Sequence, residues 1–124
     1  MLGYVTLGVR DIKRAATFYD AIAKEMGTPR MMEGEKFIAW GVPGGSAGLG
    51  ICLPFDGKPM SVGNGVMAAL GASSPDQVKR LYETALRLGG TDEGPPGDRG
   101  GGFYAAYFRD LDGNKLNAFC MTGG

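Results

Sequence analysis

Two thiols and no imidazole bound the chemistry open to this chain. Histidine is absent, which removes the commonest general base and the commonest metal ligand together. Cys52 and Cys120 are its cysteines, with no C-x-x-C pair between them. Neither a disulfide framework nor a structural zinc site is expected from that usage, and both read as reduced thiols. Cys52 as a nucleophile would need a base, and no histidine or other obvious base neighbours it; a small buried or half-buried thiol is the reading favoured. Arg99, within Gly94-Pro95-Pro96-Gly97-Asp98-Arg99-Gly100-Gly101-Gly102, is the best charged candidate. A guanidinium on a glycine-rich lid could clamp a carboxylate or phosphate, and an ordinary solvent-exposed loop arginine is the competing reading. Asp110-Leu111-Asp112-Gly113 starts like a calcium loop but lacks the third acidic position and the closing glutamate, so it reads as a hairpin turn. The glycine clusters match neither a Walker loop nor G-x-G-x-x-G after a strand, and no nucleotide site is expected.

The chain that must position these groups has 124 residues, enough for one domain and too few for two independent ones. Hydrophobic residues make up 44%, so a core can be buried without staples. Thirteen basic residues against 13 acidic ones leave no electrostatic footprint for nucleic acid or an anionic membrane. No apolar run reaches the length of a membrane span. Strand-like residues begin at Leu2, without a basic segment and apolar signal core before them. A cytoplasmic protein without nucleic-acid or membrane partners is the expectation.

Tyr4 to Val9 alternates and is rich in β-branched residues, as a strand requires. Asp11 is a good helix N-cap, and Ile12, Ala15, Ala16, Tyr19, Ile22, Ala23 and Met26 recur at helical spacing up to the terminating Gly27. Short strands are predicted near 29–33, 36–41 and 48–54. Farther on, Val66 to Ala72 reads as a strand. Ser74-Pro75-Asp76-Gln77 is a capping box with proline at the first helical position. Val78, Leu81, Tyr82, Ala85 and Leu88 form the buried face of that helix, which Gly89-Gly90 ends. Gly94 to Gly102 reads as a glycine-rich loop, followed by strands Phe103 to Arg109 and Lys115 to Met121 around an Asp-Gly turn.

The halves repeat at an offset of 63 residues: Leu7-Gly8 falls on Leu70-Gly71, Asp11 on Ser74, Tyr19 on Tyr82, Asp20 on Glu83 and Gly27 on Gly90. The plan is α+β, with two tandem βαβββ modules over residues 1–55 and 65–122 and a linker over 56–64. A unit of this size buries little alone, so the two are expected to pair.

With Tyr4-Val5-Thr6-Leu7, Asp11-Ile12-Lys13-Arg14, Phe18-Tyr19 and above all Phe103 to Leu116, the chain resembles the vicinal-oxygen-chelate superfamily of glyoxalases, bleomycin-resistance proteins and extradiol dioxygenases. The resemblance implies a curled mixed sheet with helices outside and a ligand cleft inside. It implies metal ligands at the positions of Tyr4, Gly50, Met67 and Asn117, where the family wants His, Gln or Glu. A phenol, no side chain, a thioether and an amide supply almost no affinity for a divalent ion. No cofactor is therefore expected, and extradiol chemistry is excluded by the missing histidine.

Strand alternation places Tyr4, Thr6, Gly50, Cys52, Met67, Ala69, Asn117 and Phe119 on the cleft side. Phe37 and Trp40 take opposite sides of their strand, and alternation leaves open which of them faces the cleft; Trp40, with an indole suited to a site wet at one end, is counted among the cleft candidates. Tyr4 and Asn117 either contact a ligand or hydrogen-bond into the space of a metal site. The expected function is metal-independent binding of a small, partly apolar molecule, with a glyoxalase-like lyase or isomerase as the alternative. The family likeness implies a homodimer.

Overall fold

A computed structural model of the chain describes residues 1–123. They form two units of identical plan, Met1–Gly63 and the residues from Asn64 onward. The first contains β1 (Tyr4–Gly8), α1 (Ile12–Glu25), β2 (Arg30–Glu33), β3 (Phe37–Trp40) and β4 (Gly48–Cys52). The second contains β5 (Ala68–Gly71), α2 (Pro75–Arg87), β6 (Thr91–Asp98), β7 (Phe103–Arg109) and β8 (Lys115–Met121). Strand orders are β1-β4-β3-β2 and β5-β8-β7-β6. In both units the first strand lies parallel to the last, and the remaining pairs are antiparallel. The fold is thus α+β, two βαβββ modules.

The helix boundaries follow from local chemistry. Asp11 holds extended backbone and accepts from the Arg14 N–H at 3.1 Å, satisfying one of the donors a helix start leaves open. Ser74 does the same for Gln77 at 3.1 Å. The Gln77 side chain reaches one residue beyond the usual capping box and accepts from the Ser73 N–H at 2.8 Å. Both helices close identically at their C-termini. Gly27 at φ 68° and Gly89 at φ 100° take the left-handed turn, and the N–H groups of Thr28 and Gly90 bond to the carbonyls of Ala23 and Ala85. Gly27 is therefore matched by Gly89, not by Gly90 as the sequence offset predicts, because α2 is one residue shorter than α1 (13 against 14). Gly90 is needed for another reason: a Cβ there would lie 2.7 Å from the carbonyl oxygens of both Ala85 and Arg109.

One expectation fails in the second unit. Residues 94–98, read as the start of a glycine-rich loop running to Gly102, belong instead to the edge strand β6, with register shifts on either side of Gly94. The two prolines there cost little, since an edge strand need not donate on its outer side.

Each helix covers one face of its own sheet. In unit 1 Phe18, Tyr19 and Ile22 of α1 are buried, as are Leu7, Val9, Ile38, Trp40 and Ile51 of the strands or the residues flanking them. In unit 2 Val78, Leu81 and Ala85 of α2 are fully buried, together with Ala106, Phe108, Leu116 and Ala118. Full burial of such a large side chain stabilises by roughly 1.5–3 kcal/mol.

A polar cluster ties α1 to β2 and β3. Arg30 grips Asp20 with two donors, Nε at 2.9 Å and NH2 at 2.6 Å, and reaches Glu33 at 2.7 Å. The Trp40 indole N–H donates to the same Asp20 carboxylate at 2.8 Å. The Arg30 hydrogen bond in particular holds the Asp20 carboxyl below its ordinary value of 3.8. Asp20→Ala should lower the unfolding free energy by about 1–2 kcal/mol, the scale of a charge-assisted hydrogen bond discounted for partial exposure. Because the folded pKa is depressed, this contribution is present above the ordinary carboxyl value and lost as pH falls through the lowered one. Urea denaturation of both proteins at pH 7 and in acid should show the gap at pH 7 closing in acid.

Candidate functional site

The faces opposite the helices carry the candidate residues, one face per unit. In unit 1 the register sets Thr6 beside Gly50 and Gly8 beside Cys52, with Phe37 across from Cys52 and Ala39 across from Gly50. Tyr4 lies one step along the same face and is half exposed. The Phe37 ring lies over Gly50, where a Cβ would come within 3.0 and 3.2 Å of ring carbons. The Tyr4 ring meets Phe37 edge-on with centroids 6.1 Å apart. Beyond β4 the chain folds back so that Met60 is buried over Gly8, whose Cβ would meet the Met60 Cβ at 3.2 Å. The result is an open recess of about 850 Å³, with Thr6, Phe37, Cys52 and Met60 in its walls and Phe55 at its rim.

Trp40 does not belong to this face. It is buried on the helix side, with its ring 5.7 Å from that of Tyr19 and its N–H spent on Asp20. The indole found its polar partner in the Asp20 carboxylate, so a wet edge was unnecessary. Phe37, three residues earlier, takes the open face instead.

In unit 2 Asn117 stands beside Ala69 and across from Tyr107, and Phe119 across from Ala105. Gly50 and Asn117 occupy equivalent places in the two sheets, since their parallel partners Thr6 and Ala69 are themselves repeat mates. Met67 just precedes β5 and is partly exposed. Phe103 and Phe119 stack at 5.6 Å. The Tyr107 ring has two cations near it, the Arg99 guanidinium at 5.6 Å and the Lys115 ammonium at 5.4 Å. Arg99 is not carried on a free lid. It folds back along β6, donates to the Pro95 carbonyl at 2.6 Å, and lies where a side chain on Gly94 or Gly97 would have to be.

Asn117 is 2% exposed, and its Oδ1 has no hydrogen-bond partner. A buried acceptor without a donor is an exception in folded proteins and marks a place where something other than packing is at stake. The turn that follows β7 shows the opposite economy. Asp110 is also buried, but its carboxylate accepts from the N–H groups of Asp112 and Asn114 and from the Asn114 amide, which fixes the hairpin.

Cys52 has Gly8 and Phe37 as its cross-strand neighbours. Glu93 is bound by Arg109 at 2.8 Å, and that bond keeps its carboxyl below the usual range. The set Tyr4, Gly50, Met67 and Asn117 does not fit a divalent metal, because it offers no carboxylate and no imidazole. Among the described residues, no three His, Cys, Asp or Glu side chains are grouped so as to hold one.

The sequence matches the Glyoxalase/Bleomycin resistance protein/Dioxygenase superfamily over residues 1–118. The chain belongs to that family. A glyoxalase/bleomycin resistance protein from Albidiferax ferrireducens T118 has the same structure with a TM-score of 0.89 and 34% identity, over 97% of this chain and 98% of that one. A hypothetical protein from S. aureus superposes with a TM-score of 0.75 at 24% identity, over 97% of this chain and 92% of that one. A putative glyoxalase from Bacillus halodurans gives 0.78 at 18% identity, over 97% and 95%. The last two show the fold alone. No curated protein matches the chain. No helix among the described residues is long and apolar enough to cross a membrane.

Phe37, Met60 and Tyr107 are among the face residues that sequence reasoning did not place. Alternation back from the Asp110–Asn114 turn sets Tyr107 opposite Asn117 and so could have found it. Nothing local marks Met60, which reaches the sheet only through the fold of the connecting segment.

The unpartnered acceptor makes a prediction. Asn117→Leu, similar in size and without the buried dipole, should raise the unfolding free energy by about 1 kcal/mol in the absence of ligand. A loss of that size in urea denaturation would show that the amide has a stabilising partner in the free protein.

Proposed function

We propose that this protein is a metal-independent member of the superfamily that binds a small, partly apolar molecule on the open faces of its sheets. The observation that carries the reading is the makeup of the unit 1 face. A recess large enough for a drug-sized molecule is walled by Phe37, Cys52 and Met60 with the Thr6 hydroxyl among them, a pattern suited to binding. The family's metal positions, held here by Tyr4, Gly50, Met67 and Asn117, add no competing chemistry. Within this proposal Tyr4, Thr6 and Cys52 contact the ligand from unit 1, and Met67, Asn117 and Phe119 present the corresponding face of unit 2. Arg99, paired with Tyr107, contributes a positive edge to the latter.

Thermal-shift screening against metabolites and aromatic antibiotics should yield compounds that raise Tm in a dose-dependent way. Elemental analysis of the purified protein should find no stoichiometric zinc, nickel, iron or manganese. Turnover of the methylglyoxal–glutathione adduct would replace this reading with a lyase or isomerase.

We also propose a cytoplasmic homodimer. The two unbridged thiols suit a reducing compartment. Leu2, Val66 and Met121 each expose apolar surface that a second copy would cover. Light scattering across a range of concentrations should give twice the 13.0 kDa chain mass, and a constant monomer mass would end that part of the proposal.

A further inference from the structure

The charge around the unit 1 recess is one-sided. Lys36 and Lys58 line it along with Arg10, and no aspartate or glutamate does. Composition does not explain this, since the whole chain balances 13 basic against 13 acidic residues. The two lysines are exposed and are held at the rim by the backbone beneath them. The Lys36 carbonyl accepts from the Leu53 N–H at 3.0 Å, which ties the start of β3 to the segment leaving β4. The turn over Pro54–Gly57, closed by a 3.0 Å bond and by Gly57 at φ 74°, leads into Lys58, which also lines the recess. The nearest carboxylate in sequence, Asp56, is turned to the Lys58 N–H at 2.9 Å and does not line the recess. Glu35, next to Lys36, does not line it either.

Beneath those ammonium groups the walls are apolar and aromatic, and Phe55 stands fully exposed at the rim. An apolar wall lowers the local dielectric and strengthens the pull of nearby cations on an anion. The Thr6 hydroxyl adds one neutral hydrogen-bonding group. We infer that the recess of unit 1 selects an organic anion with an aromatic or extended apolar body, its carboxylate or equivalent oxyanion held by Lys36 and Lys58 and its body laid against Phe37 and Met60. The inference rests on the binding function proposed above and names the ligand class for that face.

The test uses the full chain and pairs of probes that differ only in charge. Indole-3-acetate and naphthalene-2-carboxylate are titrated calorimetrically beside indole-3-acetamide and naphthalene-2-carboxamide, at low salt and at 0.5 M salt. Each acid is expected to bind about tenfold more tightly than its amide, with the difference shrinking in high salt. Lys36→Gln with Lys58→Gln should remove that difference, leave amide binding unchanged and, as both residues are exposed, leave Tm within a degree or two. Cys52, in the wall, reports the location: the acid should slow its alkylation by iodoacetamide at least several-fold in the parent protein. Equal affinities for acid and amide, or acid binding that leaves Cys52 alkylation unaffected, would overturn the inference while the broader binding function stands. If neither acid nor amide binds and the metabolite screen is also silent, both fall together.

Discussion

In each unit a single amphipathic helix seals one side of a four-stranded sheet, and no helix of that unit covers the other side. The sealed sides hold most of the large buried apolar side chains, among them Phe18, Tyr19 and Ile51 in unit 1 and Leu81, Phe108 and Leu116 in unit 2. Because strand side chains alternate, committing Leu7 and Val9 to the helix turns Tyr4 and Thr6 outward without further instruction. A slip of one residue in β1 or β4 would exchange the two sets, so the packing of α1 is also what specifies the composition of the open face. The Asp20 cluster reinforces that register, since it ties α1 to β2 and β3 through three separate donors.

Most of the architecture was legible in the sequence. Asp11, Ser74 and Pro75 mark the helix starts through their own chemistry, and the 63-residue repeat exposes the duplicated plan. β6 was not legible, because glycine and proline signal turns, and an edge strand with register shifts is the one kind of strand that tolerates them. The slip between Gly27 and Gly89 was hidden for a related reason. Two adjacent glycines, 89 and 90, serve different needs, one a left-handed turn and the other a close approach of backbone, and the residue type alone does not distinguish them.

The site was harder to read than the fold. Alternation within a strand is local, and it placed Thr6 and Cys52 in the same wall. Trp40 went to the helix side because its hydrogen-bond partner, Asp20, lies 20 residues away in sequence, beyond the reach of any local rule. For Arg99 both readings, a clamp on a glycine-rich lid and an ordinary exposed loop arginine, assumed a loop, because the strand before it was not foreseen; once β6 is present, Gly94 and Gly97 form a bed for its side chain. Met60 depends on the path of an irregular segment, and propensity says little about such paths.

The two open faces share a backbone lattice but have exchanged their bulk. Where unit 1 sets Phe37 over an empty Gly50 and leaves Ala39 small, unit 2 has Ala105, Asn117 and Tyr107 at the matching points. Large stands for small, and small for large, at each of these pairs. Symmetry has survived in the main chain and vanished from the surface it displays. A molecule with twofold symmetry would find no matched pair of walls in the two halves. Substitutions on one face can accumulate without an answering change on the other, so the duplication has left the protein two surfaces free to evolve along separate lines.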